Sequence, residues 1–176
     1  MSLRRFQSDR RGAAAVEFAL IAPFMILLYC GFAELTMGMM AERRAAHSAS
    51  VVADLVAQTS QITGSQMTDI FNVANEILTP FPSTGLKLRV TSVVADAGAV
   101  PRVAWSQGNG GLGPLTVGTA VSGFPPTLLA AGDSVIMTDV QYAYVSPLKM
   151  TVPNALNFSD TFYLKPRNSA SVTFTP

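Results

Sequence analysis

The apolar positions of the chain concentrate first in a long segment near the N-terminus. Residues 18–33 (FALIAPFMILLYCGFA) carry no charge, and the wider segment 13–41 contains only Glu17 and Glu34. As a helix, segment 13–41 would extend about 43 Å, which exceeds the roughly 30 Å of a bilayer's hydrocarbon core. The pattern therefore predicts a transmembrane helix over residues 13–41, with each carboxylate near a membrane interface.

The helical pattern continues beyond this segment. Residues 41–58 contain neither proline nor glycine and are rich in alanine, so the helix is expected to run on to about residue 60. Residues 62–65 (ITGS) break it, and Ser65 is predicted to cap a second helix that ends before Pro80. The apolar face of this second helix is predicted to consist of Ile70, Val73, Ala74 and Ile77.

From residue 86 the apolar period changes from helical to alternating, which is typical of half-buried strands. Candidate strands begin at residue 86 and then cover residues 100–106, 134–145, 161–165 and 170–175. Helices followed by several short strands predict an α+β fold with an antiparallel sheet. We therefore expect residues 42–176 to form an α+β head domain outside the membrane.

Composition limits the chemistry that the protein can perform. The chain has 176 residues, a net charge of +1 and a mean hydropathy of +0.34, so its overall charge gives no reason to expect nucleic-acid binding. Cys30 and His47 are the only residues of their kinds, which excludes an internal disulfide, a Cys-cluster zinc site and a His-pair metal motif. The glycine-rich segment 108–113 lacks the Lys-Ser/Thr of a phosphate loop and is predicted to be a turn. The sequence thus predicts no enzyme, no cofactor and no metal site.

Positive charge is concentrated ahead of the apolar segment. Residues 1–12 contain four arginines and one aspartate, a net charge of +3. Basic residues at this place favour a cytoplasmic N-terminus and export of the remaining chain. Cleavage as a secretory signal peptide is disfavoured, because residues 34–40 (ELTMGMM) lack a small-x-small site.

The junction between the basic and apolar segments has a specific order of residues. Two arginines precede Gly12, small residues follow from Ala13, and Glu17 and Phe18 open the apolar helix. This order resembles the processing site of type IV prepilins and pseudopilins. With the short leader and the early Pro23, it is most similar to TadE-like proteins of the tight-adherence (Tad, Flp-type) pilus system, and the resemblance covers about residues 4–60.

The resemblance implies a pilin-like fold and a role as pseudopilin or minor pilin. Residues 1–12 would be a leader that a membrane prepilin peptidase removes between Gly12 and Ala13, and Glu17 and Phe18 would serve recognition and assembly. The mature protein would remain in the bacterial inner membrane with its C-terminal domain outside. Its partners would be the peptidase, other pseudopilins, the major pilin, the inner-membrane assembly platform and membrane lipid, with functions in pilus assembly, surface adhesion and biofilm formation. TadE-type and TadF-type roles are not separated by the resemblance.

Two interpretations of the glutamates remain open from the residues alone. After cleavage, Glu17 would lie about 6 Å along the helix from the new ammonium group of Ala13, and it could pair with the terminus of a neighbouring subunit. Alternatively, Glu17 snorkels at the interface of an unprocessed single-pass anchor that carries an extracytoplasmic binding module. Glu34 is expected at the other interface or in an intersubunit pair with Arg43 or Arg44.

Overall fold

A single long helix dominates the N-terminal part of the structure. The computed structural model describes residues 11–125 and 127–176, so most of the predicted leader lies outside the described residues. Helix α1 spans Arg11–Ala57 and continues through Pro23. Its 47 residues correspond to a length of about 70 Å.

The rest of the described chain forms a second helix and six strands. A short 3₁₀ turn lies at Ser83–Gly85. The elements in chain order are β1 (Gln61–Thr63), α2 (Gly64–Ile77), β2 (Leu86–Ala95), β3 (Pro101–Asn109), β4 (Ser134–Tyr144), β5 (Leu156–Leu164) and β6 (Thr173–Thr175). The predicted α+β class is confirmed.

The four long strands form one antiparallel sheet in the order β3-β2-β4-β5. The register places Leu88 opposite Val140 and Val90 opposite Thr138. Strands β1 and β6 form a separate parallel pair in which Ile62 lies opposite Phe174.

Contacts along the chain define two compact units. The first contains the chain up to Gly38 together with Val145–Ala155, and the second contains Met39–Tyr144 and Leu156–Pro176. The segment between β4 and β5 thus belongs to the same unit as the first part of α1.

The core of the second unit joins helices and sheet. Helix α1 contributes small and branched side chains that recur every three or four residues: Ala41, Ala45, Ala49, Val52 and Val56. They pack with sheet residues such as Leu88, Val90 and Ile136. Trp105 is buried against this core, and its Nε1 donates a 2.7 Å hydrogen bond to the carbonyl of Val172.

Two details of α2 differ from the sequence prediction. Its buried residues are Met67, Phe71 and Ala74, whereas Val73 is 43% exposed, so the predicted apolar face is rotated. Its N-cap is Thr63, not Ser65. The Thr63 Oγ1 accepts a 3.3 Å hydrogen bond from the Gln66 amide, and Gln66 Oε1 accepts a 2.9 Å bond from the Thr63 amide. This reciprocal pair is a capping box.

Candidate functional site

The predicted processing site lies at the start of α1. Because the helix begins at Arg11, Gly12 and Ala13 belong to its first turn, and both are exposed. Apart from its chain neighbours and the backbone of the helix, no heavy atom of the described residues lies within 4 Å of the position that a Cβ on Gly12 would occupy. Gly12 itself also presents no side chain to a molecule that approaches the backbone at this bond.

Glu17 and Phe18 follow one helical turn later. Glu17 is four residues beyond Ala13, so the two lie on the same face of α1, separated by about 6 Å along the axis. Phe18 is 72% exposed. Among the residues that the structure describes, Glu17 has no hydrogen-bond or ion-pair partner. No contact within the described chain therefore occupies its carboxylate.

The surface of α1 between these residues and Gly38 is apolar on most sides. Large exposed side chains include Leu20, Phe24, Leu27, Tyr29 and Phe32. Within the described residues, one helix is long and apolar enough to cross a membrane, as judged by length and composition. Such a surface, unpaired with protein, is suited to contact with lipid.

Glu34 has the opposite environment, since only 1% of the residue is exposed. Its carboxylate accepts five hydrogen bonds from a single segment. Oε1 accepts from Ser146 Oγ (2.8 Å) and the Met150 amide (2.9 Å), and Oε2 accepts from the Thr151 amide (2.8 Å), the Val152 amide (3.0 Å) and Thr151 Oγ1. These bonds replace those that water would supply to an exposed carboxylate.

The segment that surrounds Glu34 is Val145–Ala155, which we call the clamp loop. Three consecutive amides of this loop point at one carboxylate, an arrangement that forms an anion-binding concavity. Lys149, just before them, has a positive φ of 52°, which turns the backbone so that the amides converge. Gly31, one turn before Glu34, leaves room for the loop: a Cβ there would lie 3.3 Å from Thr151 Cγ2.

Within the described chain the partner of Glu34 is the clamp loop, which the sequence did not suggest. The intersubunit pair with Arg43 or Arg44 stays a prediction, and Arg44 Nη1 donates to the carbonyl of Ile77 at 3.2 Å. Sequence reasoning marked Glu34 as unusual but did not find the clamp loop. No spacing rule links position 34 with residues more than a hundred positions away.

The other candidate residues carry no visible chemistry. His47 is exposed on α1, and Cys30 is a half-buried free thiol. Within residues 11–125 and 127–176, no group of three or more His, Cys, Asp or Glu residues could hold a metal ion. Of the carboxylates on α1 in the described chain, Glu34 accepts the most hydrogen bonds, all of them from the clamp loop.

Comparison with known proteins bears on the N-terminal helix. Residues 12–54 match the family model for TadE-like protein, and the match lies wholly within α1. It includes Gly12, Ala13, Glu17 and Phe18, so the N-terminal segment is TadE-like and is consistent with a part in the tight-adherence pilus system. No curated protein and no solved structure matches the chain.

Proposed function

We propose that this protein, which has a TadE-like N-terminal helix, is a pseudopilin or minor pilin of a tight-adherence pilus. It is held in the bacterial inner membrane by the first part of α1, with the N-terminus cytoplasmic and the C-terminal domain outside. It takes part in pilus assembly and, through the pilus, in surface adhesion and biofilm formation. The observation that carries the proposal is the exposed Gly12-Ala13 bond, one turn before a Glu17 that has no partner among the described residues of an apolar helix.

The proposed activation step is hydrolysis of the Gly12-Ala13 peptide bond by a membrane prepilin peptidase. One water molecule balances the step, because its oxygen leaves Gly12 with a carboxylate and its two protons leave Ala13 with an ammonium group. Removal of residues 1–12 lowers the formal charge from +1 to −2, because the leader contains four of the 12 basic and one of the 11 acidic residues. Loss of the basic flank also removes the strongest signal that holds this end at the cytoplasmic face.

The new terminus needs a compensating charge. An ammonium group at the N-terminus of a helix is disfavoured by the helix dipole, whose positive end lies there, and it is costly to bury in lipid. A carboxylate one turn away offsets both effects, either within one subunit or between neighbours in a helical assembly. Glu17 occupies this position on an exposed face.

The N-terminus of the mature protein tests the proposal directly. Protein isolated from its native membrane is expected to begin at Ala13 by intact mass and N-terminal sequencing. Gly12→Leu should retain the leader, because a bulky side chain blocks the close approach that glycine allows. Ala19→Leu, at another exposed position of α1, is the matched control and should be processed normally.

The alternative function is an unprocessed, single-pass anchored extracytoplasmic binding module. In that case wild-type protein from cells would retain all four arginines of residues 1–12. The Gly12→Leu protein would then have the same N-terminus as wild type and would behave as wild type does. Such a result would overturn the proposed function while leaving the membrane anchor intact.

A further inference from the structure

The clamp loop presents apolar side chains outward while its polar groups face inward. Val145 is 50% exposed, Leu148 46% and Met150 51%, although the neighbouring Ser146 is buried on Glu34. Lys149, between two of these apolar residues, is the only charged residue of the loop and is exposed. The loop therefore has one face bound to α1 and one amphipathic face without a protein partner in the described chain.

The place where the loop meets α1 matches a membrane boundary. The loop contacts α1 at Gly31 and Glu34. Gly31 lies 18 residues beyond Ala13, a helical distance of about 27 Å, close to the roughly 30 Å of the hydrocarbon core. With Ala13 at one interface, the loop thus lies at the other.

The irregular backbone of the clamp loop independently limits how far the hydrocarbon region can extend along α1. Irregular backbone is not tolerated where it faces hydrocarbon, because its N–H and C=O groups cannot all be paired there. The clamp loop is irregular from residue 145 to residue 155. The hydrocarbon region must therefore end at or before the level of Gly31 on α1.

We propose that the clamp loop is a second membrane-contacting element, which lies in the headgroup region at the interface farther from the N-terminus. Leu148 and Met150 enter the boundary with the acyl chains, and Lys149 reaches the phosphates of anionic lipids. The helix of the same unit also exposes apolar side chains, among them Phe32 and Leu35. Exposed apolar side chains on both elements, with Lys149 as the loop's one charge, favour a lipid surface as the occupant.

Glu34 acts in this arrangement as a positioning residue. By accepting hydrogen bonds from Ser146 and from three consecutive amides, it fixes the loop against α1 and removes its polar groups from lipid. The acidic residue thereby holds the loop at this level of the helix. This inference rests on the membrane anchor of the proposed function, but not on leader processing or on assembly.

Depth-dependent fluorescence quenching tests the inference in the full-length protein. In a Cys30→Ala background, single cysteines at Leu148, Phe24 and Val117 are labelled with an environment-sensitive dye after reconstitution into vesicles of phosphatidylcholine and phosphatidylglycerol. Quencher lipids carry the spin label either near the headgroup or near the bilayer centre. Val117, an exposed apolar residue of the second unit, is the reference position.

The label at Leu148 is expected to be quenched about twofold more by the shallow than by the deep quencher, as for a side chain at the headgroup–acyl boundary. The label at Phe24 should be quenched more by the deep than by the shallow quencher.

If quenching of the Leu148 label matches that of the Val117 label while the Phe24 label is quenched from the bilayer centre, the anchor holds and the loop proposal fails. If the Leu148 label is shielded from both water and quenchers, a second protein or another copy of this chain covers the loop. That outcome also overturns the loop proposal. If Phe24 is not quenched, the anchor itself is wrong.

A second variant separates positioning from folding. Glu34→Ala removes all five hydrogen bonds to the loop, and it should reduce the preference of the Leu148 label for the shallow quencher while the Phe24 label still inserts. An unchanged preference would show that Glu34 does not position the loop.

Discussion

The two glutamates of α1 show how surroundings, rather than residue type, determine what a charged side chain does. Glu17 is exposed and Glu34 is 1% exposed with five hydrogen bonds. A carboxylate whose acceptor sites are already filled has little capacity for a new partner, whereas an unfilled one can bind a cation. Intermolecular pairing is therefore expected of Glu17 and structural fixation of Glu34.

Asp96 gives a prediction at the residue scale for the second unit. The amide of Val100 first, and then Arg102 and the amide of Gly98, lower the pKa of Asp96 below its ordinary value of 3.8. A carboxylate with a lowered folded-state pKa stabilises the fold above its unfolded pKa, and this contribution is lost as the pH falls through the folded pKa.

Asp96→Asn should therefore destabilise the protein at pH 6 and reduce the loss of stability on acidification below about pH 4. Thermal unfolding of the full chain in detergent, followed from pH 6 to pH 3, measures both effects. Asp69→Asn, at an exposed carboxylate on α2, is the control for the loss of one surface carboxylate, and its curve is compared with that of Asp96→Asn. A wild-type slope for Asp96→Asn would contradict the assignment.

At the scale of elements, the capping box of α2 gives a prediction that separates two candidate caps. Thr63→Ala removes the acceptor for the Gln66 amide and should destabilise the second unit by about 1 kcal/mol. Ser65→Ala leaves the Thr63–Gln66 pair intact and should cost less than half as much. Urea unfolding of both variants measures the difference, and equal losses would show that Thr63 is not the dominant cap.

The elements that could be predicted from the sequence are those with repeated local signals. Alternation from Leu86 and the tyrosine-containing run to Tyr144 identified β2 and β4, and the uninterrupted apolar and alanine-rich run identified α1. Strand β1 has three residues and forms only with the distant β6, so a local pattern could not reveal it. The cap of α2 was misplaced because Thr63 and Ser65 are both good capping residues, and geometry alone chose between them.

At the scale of the whole molecule, the candidate site likewise has one part that could be predicted from the sequence and one part that could not. Gly12, Ala13, Glu17 and Phe18 are contiguous, and their order alone suggested the TadE-like segment that the family match contains. The clamp on Glu34 depends on a loop between β4 and β5 that joins the first unit. A loop without periodicity gives no signal in a single sequence from which such long-range contacts could be predicted.

The assembly role of Glu17 leads to the last prediction. Glu17→Gln keeps the shape of the side chain but removes the charge that would offset the Ala13 ammonium group of a neighbour. The mutant protein should still begin at Ala13, because the Gly12-Ala13 bond is unchanged and remains exposed. Its incorporation into filaments should fall about tenfold or more, since hydrogen bonds to charged groups contribute about 1.5–3 kcal/mol and 1.4 kcal/mol corresponds to tenfold in an equilibrium.

Glu42→Gln provides the matched control, because Glu42 is another exposed carboxylate on the same helix but lies outside the predicted span. Pilus yield and surface adhesion should be near wild type for Glu42→Gln and reduced for Glu17→Gln, each measured alongside the N-terminal sequence of the membrane-bound protein. Normal processing with reduced assembly would separate the pairing role from peptidase recognition. If Glu17→Gln protein is processed and assembles as well as wild type, pairing with the new terminus is not what Glu17 contributes, and its place in lipid must be explained by snorkelling to the interface.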